Sequence, residues 1–208
     1  MRELRYTLLT DGSSDTALLP ILSWTLKRHV ACPVQATWAD LRYLPQAPII
    51  LPDRFQTSLD LIPGDQSLQK RIDEIHQGLE EAGQWKVMPA VCVIPIRMTE
   101  AWLLIDERAV RRAAGNPNGR EALDLPSVEA LEHVSDPKSV LYDCLKEASG
   151  LSGSRRKRFR VTESAQRISE FIEDFTPLRS LSAFVYLENS IERIVSEQGW
   201  TQDVTVQE

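Results

Sequence analysis

Asp11, Asp15 and Glu100 are the side chains of this chain whose type and spacing point most directly to chemistry. Tyr6-Thr7-Leu8-Leu9-Thr10 is a β-prone apolar run that breaks into Asp11-Gly12-Ser13-Ser14-Asp15, and open α/β sheets place their chemistry at such carboxyl ends of strands. A second junction of the same kind runs from Val91-Cys92-Val93-Ile94 through Pro95-Ile96-Arg97-Met98 into Thr99-Glu100-Ala101-Trp102. If the two strands are neighbours, the three carboxylates meet. Close carboxylates raise one another's pKa, at about 1.4 kcal/mol per unit, and a bound cation removes that penalty. Hard oxygen ligands suit Mg²⁺ or Mn²⁺, and such an ion polarises a phosphodiester and acidifies an attacking water. The same acids also suit a plainer role at helix amino termini, where a cap or a favourable dipole contributes typically ~1 kcal/mol. Asp106, six residues beyond Glu100, points to another side of any shared helix and is expected to pair with an arginine or face solvent.

Cations that could meet a phosphate are local. The chain has 24 basic and 30 acidic side chains, a formal charge of -6, which disfavours unselective binding to a polyanion. Against that background Arg155, Arg156, Lys157, Arg158 and Arg160 form the one concentrated basic tract, with Phe159 as its only aromatic. Arg155 to Arg158 suit contacts to a phosphate backbone, and Arg97 suits a substrate phosphate or a pair with Glu100; the plainer reading of the tract is a solvated face pairing with the protein's own acids.

Other chemistries lack their residues. His29, His76 and His133 have no metal-ligand spacing, and Cys32, Cys92 and Cys144 form no C-x-x-C pair. Gly12-Ser13-Ser14 lacks the length and the lysine of a phosphate-binding P-loop, and neither serine has a histidine placed to activate it. Trp102 reads as core. The amino terminus, Met1-Arg2-Glu3-Leu4-Arg5, lacks a signal-peptide apolar stretch and no apolar run is long enough to span a membrane, so a cytoplasmic location is expected.

The elements that must position these residues follow from periodicity and punctuation. Leu4 to Thr10 reads as a strand buried on both faces, followed by a helix from about Asp15 to Arg28 that Pro20 should kink. Residues 30 to 66, with Pro33, Pro45, Pro48, Pro52, Pro63 and Gly64, show no clear regular structure beyond a short edge strand at Pro48 to Leu51. Ser67 caps a helix ending at Gly83, and Val87 to Ile96 reads as a buried central strand. Thr99 is expected to cap a helix that Gly115 ends. Asp136-Pro137 marks a cap and first helical position for a helix to about Ala148, and two last helices span about 162–174 and 180–198. This order argues for an α/β fold with parallel strands wound by helices: a core over 1–115 and a helical extension over 116–208, packed as one compact domain.

Leu8 to Asp15, Pro95 to Asp106, Asp136-Pro137-Lys138 and Pro177-Leu178-Arg179 together resemble a bacterial family with a TOPRIM-like fold, distantly similar to the nuclease domains of overcoming-lysogenization-defect proteins. The resemblance spans nearly the whole chain. It implies a Rossmann-like, mostly parallel sheet flanked by helices, with a first-motif glutamate and a later Asp-x-Asp pair binding Mg²⁺ for phosphodiester chemistry. Here Asp11 stands in the glutamate's place, no Asp-x-Asp occurs in the chain, and Asp65 is the nearest counterpart of the missing pair. The resemblance implies an Mg²⁺- or Mn²⁺-dependent nuclease or phosphodiesterase of a mobile-element or phage-defence system, with Asp11, Asp15, Glu100 and Asp65 as ligands and an ATPase as partner. The other reading is a catalytically degenerate module of the same fold that only partners an ATPase, its acidic turn serving as a helix cap.

Overall fold

The computed structural model describes residues 3–10, 13–40, 72–73 and 89–201. Asp11, Asp65, the expected edge strand at Pro48 to Leu51 and most of the expected helix from Ser67 to Gly83 lie outside the described residues. The described chain forms two compact units, one comprising Met1–Gly12, Leu22–Ile94 and Val185–Glu208, the other Ser13–Ile21 and Pro95–Phe184.

The first unit holds a mixed α/β arrangement built on two parallel strands, β1 (Leu4–Thr10) and β2 (Val34–Asp40), joined through helix α1 (Leu18–His29). Their register pairs Leu4 with Val34 and Leu8 with Trp38. Contrary to the expectation of two buried faces, β1 alternates: Leu4, Leu8 and Thr10 are buried while Arg5 and Thr7 are exposed. That period of two is the mark of a half-covered sheet. Tyr6 reaches α1 through a 2.9 Å hydroxyl contact with Ser23, and the Trp38 indole donates to the Thr10 hydroxyl at 2.9 Å. The helical start differs from expectation as well. Ser13–Ala17 is a 3₁₀ turn, and Pro20 falls in the first turn of α1, where no amide donor is needed.

The expected strand at Val87 to Ile96 is not seen over its described part: among the described residues, 89–96 join no ladder. Pro89 and Pro95 lack the amide donor that a central strand requires. The second strand is instead β2, in a region whose prolines hid it.

The second unit is helical. A 3₁₀ turn, Thr99–Leu103, precedes α2 (Glu107–Ala113), so the helix expected to start at Thr99 is two elements. The reason is Asp106, which neither pairs with arginine nor sits idle: its carboxylate caps α2, accepting from the Arg108 and Ala109 amides at 2.8 and 3.1 Å. Gly115, with φ of 77°, closes this segment as expected. Helix α3 (Pro137–Ala148) matches its expected limits, because Asp136 accepts the Ser139 amide and Pro137 needs no donor at the first position. A short helix α4 (Gly153–Lys157), α5 (Val161–Phe171) and a 3₁₀ turn (Thr176–Ser180) follow; the last helix, α6 (Ser182–Glu197), belongs to the first unit from Val185 onward.

The core of this unit gathers around the Thr99 turn. Trp102 is fully buried and meets Phe184 edge-on, ring centroids 5.6 Å apart, beside buried Leu103, Leu104, Leu141, Leu145 and Ile168. The Ser13–Ala17 turn, the Thr99 turn and α3 all pack on α5. Four consecutive buried residues, Ala101 to Leu104, thus fix the turn that carries Glu100. Among the described residues, no helix is long and apolar enough to cross a membrane.

Candidate acidic site

The two sequence junctions meet, by a different route from the one their strands suggested. The Thr99 hydroxyl donates to Asp15 Oδ1 at 3.1 Å, across 84 positions of sequence. The helix-capping role expected of Thr99 is replaced by this bond: the residue before the turn is Met98, which has no side-chain cap. Ser14, Thr99 and Glu100 then line one small hollow, completed by Leu103, Tyr142, Thr162, Ala165 and Gln166. Its free volume of about 20 Å³ has room for about one water or ion.

Glu100 is the buried acid of this corner, its side chain 12% exposed, and its Oε1 lies 4.0 Å from the half-exposed Lys138 ammonium. A carboxylate withdrawn from water needs compensation, and a single amine at that distance supplies little. Lys138 also sits 5.8 Å above the Tyr142 ring, and the Tyr142 hydroxyl reaches that of Thr162 at 3.5 Å. Four elements therefore supply the corner: the two 3₁₀ turns bring Asp15, Thr99 and Glu100, the first two turns of α3 bring Lys138 and Tyr142, and α5 brings Thr162 and Gln166.

Just before Thr99 the backbone turns sharply. Arg97 has φ of 72°, the one non-glycine residue in the left-handed region among those described, and the Met98 amide donates back to the Ile96 carbonyl at 3.1 Å. A bond between residues two apart around such a centre is a γ-turn of the strained kind. Left-handed backbone costs a side-chain-bearing residue about 1–2 kcal/mol. Arg97 is exposed, and its side chain makes no hydrogen bond or ion pair with the described residues, Glu100 included.

The basic tract has a different character. Arg155, Arg156, Lys157 and Arg158 are all exposed on and just after α4. Arg156 binds Glu147 at 3.2 Å and Arg160 binds Glu163 at 3.0 Å, whereas Arg155, Lys157 and Arg158 make no such bond with the described residues. Glu147 lies nine residues beyond Lys138 on α3, roughly 14 Å along the axis at about 1.5 Å per residue. The tract is thus tied to the opposite end of α3 from the acidic corner.

Of the proposed ligands, Asp15 and Glu100 share this corner, while Asp11 and Asp65 lie outside the described residues. Among the described residues no three His, Cys, Asp or Glu side chains gather as a metal-binding group. Glu100 lines the hollow and Asp15 accepts from the Thr99 hydroxyl beside it; Mg²⁺ is commonly held by one or two carboxylates and keeps several waters. Sequence reasoning missed Thr99 as a site residue and gave Lys138 no specific role. The hydroxyl next to Glu100 was the available signal for the first; only the fold brings the second to Glu100. The buried thiols of Cys92 and Cys144 are pushed above their ordinary pKa, Cys92 by burial and Cys144 by burial with Asp124 and Asp143, which leaves both poor nucleophiles. No family model, curated protein or solved structure matches this chain.

Proposed function

We propose that this protein is a TOPRIM-like, divalent-metal-dependent nuclease or phosphodiesterase acting on nucleic acid, of the kind found in mobile-element or phage-defence systems alongside an ATPase. The observation that carries the reading is the Thr99–Asp15 hydrogen bond, which joins the two acidic motifs at the hollow that Glu100 lines. Asp15 and Glu100 would hold Mg²⁺ or Mn²⁺. The bound ion would polarise the scissile phosphate and acidify a water.

The chain's own residues supply the remainder. Thr99 fixes the rotamer of Asp15, and the buried Ala101–Leu104 segment holds Glu100 against reorientation. Lys138, half exposed beside Glu100, offers a point charge to a non-bridging phosphate oxygen. Arg155, Lys157 and Arg158 contact the nucleic-acid backbone farther along.

The reading as an inert interaction module would favour a broad exposed apolar patch on the terminal helices. Among the described residues the one exposed large hydrophobic side chain is Val185, which lends that reading no support. The test is cleavage of labelled single- and double-stranded DNA and RNA in Mg²⁺ or Mn²⁺. Metal-dependent cutting abolished by Glu100→Gln supports the nuclease; cutting that survives, or none with any substrate, contradicts it.

A further inference from the structure

Arg97 occupies a position where glycine would be the easier residue. Its left-handed φ of 72° and the Met98-to-Ile96 hydrogen bond define a strained γ-turn, and glycine adopts such a conformation without the Cβ penalty. A strained backbone that keeps a large side chain points to a function for that side chain. No bond to the described residues accounts for it, since the guanidinium is exposed and makes none with them.

The location supplies the function. Arg97 lies two positions before Thr99, so their Cα atoms are within about 7 Å, and Thr99 and Glu100 line the hollow. Glu100 and Asp15 would repel a polyanion approaching this corner, and Lys138 is the cation already beside Glu100. A guanidinium held out from the γ-turn adds a second positive charge at the rim, with a planar fork that takes two phosphate oxygens at once.

We propose that Arg97 is a phosphate-binding residue that clamps the nucleic-acid backbone beside the acidic corner, its guanidinium presented by the strained γ-turn. The inference rests on the nuclease reading for its ligand and deepens it by naming the group that grips the substrate next to Glu100.

Arg97→Gly separates the side chain from the strain. The variant should melt about 2–4 °C higher, as relief of left-handed strain implies for a chain of this size. It should also bind a labelled single-stranded DNA, measured by anisotropy in EDTA, about 10-fold more weakly, with the salt slope reduced by about 0.7 as one lost phosphate contact requires. Arg97→Lys should restore the salt slope and only part of the lost affinity, because the charge remains while the bidentate fork is gone. A lower melting temperature for Arg97→Gly would make the guanidinium structural and overturn the inference, as would unchanged binding or a wild-type chain that does not bind. Metal-dependent cleavage with normal Arg97→Gly binding would leave the nuclease reading standing and remove this inference alone. Binding that depends on Arg97 without any cleavage would do the reverse.

Discussion

The acidic corner and the basic tract are both concentrations of charge, yet the fold treats them in opposite ways. At the corner, Glu100 is buried, Asp15 receives the Thr99 hydroxyl and four buried residues follow in the same turn. On the tract, Arg155 to Arg158 are exposed on a helix of about one turn, and Arg156 is satisfied by Glu147. The difference teaches where specificity and where mere attraction can reside. Charges held by a packed core can meet a reacting atom at fixed geometry, whereas mobile surface charges contribute a diffuse, salt-sensitive pull.

The sharpest way to break the comparison is to remove the anchor of the corner. Trp102→Ala should destabilise the protein by about 3–5 kcal/mol, the range for deleting a buried aromatic, as measured by urea unfolding. Trp102→Phe should cost far less, because the indole Nε1 is buried without a hydrogen-bond partner among the described residues and its loss removes an unsatisfied donor. By contrast Arg156→Ala, which breaks one exposed ion pair, should change stability by less than about 1 kcal/mol.

A second test asks whether the buried carboxylate serves stability or chemistry. Glu100→Gln keeps the shape and removes the charge, and the half-exposed Lys138 at 4.0 Å is a weak partner to lose. The melting temperature should therefore move by only about 2–4 °C, equivalent to about 1 kcal/mol. Cleavage should fall by at least about 100-fold, as expected of a group acting at the reacting atoms. A large loss of stability would instead mark Glu100 as structural.

Much of this contrast was legible along the chain, and the exceptions have physical causes. Asp136-Pro137 announced α3 correctly because capping and the proline first position are local chemistry. The basic tract likewise needed only adjacency. Strand β2 was hidden behind Pro33 although Val34, Ala36 and Trp38 alternate with Gln35 and Thr37. Val91 to Ile94 looked like a strand by composition, but no ladder partner receives it among the described residues. At the site, sequence could nominate Asp15 and Glu100 singly. The bond between Thr99 and Asp15 depends on the packing of two 3₁₀ turns, and the γ-turn at Arg97 carries no glycine to announce it.

A third prediction sharpens the comparison through pH. The Asp136 carboxylate, which accepts the Ser139 amide, is held below the ordinary carboxylate range by that bond. A depressed folded-state pKa stabilises the protein above the unfolded value of about 3.9 and ceases to do so as the pH falls through the folded value. Asp136→Ala should accordingly lower the melting temperature at neutral pH, with the difference from wild type shrinking in acid below the folded-state pKa. A difference that persists there would assign the cap to something other than the charged carboxylate.

The smallest effect is expected from the tract itself. Replacing Arg155, Lys157 and Arg158 by alanine should leave the melting temperature nearly unchanged and reduce the salt slope of single-stranded DNA binding by about 2, or roughly 0.7 for each phosphate contact removed. An unchanged slope would make the tract a solvated surface with no part in binding.

The central claim is that Asp15 and Glu100 form a working acidic site, and its most direct test compares wild type, Asp15→Asn and Glu100→Gln in Mn²⁺ with labelled DNA and RNA, each protein first shown to be folded by its melting curve. The account predicts metal-dependent cutting by the wild type and its loss in both folded variants. Undiminished cutting by either folded variant, or a wild-type chain inert toward every substrate, would contradict it.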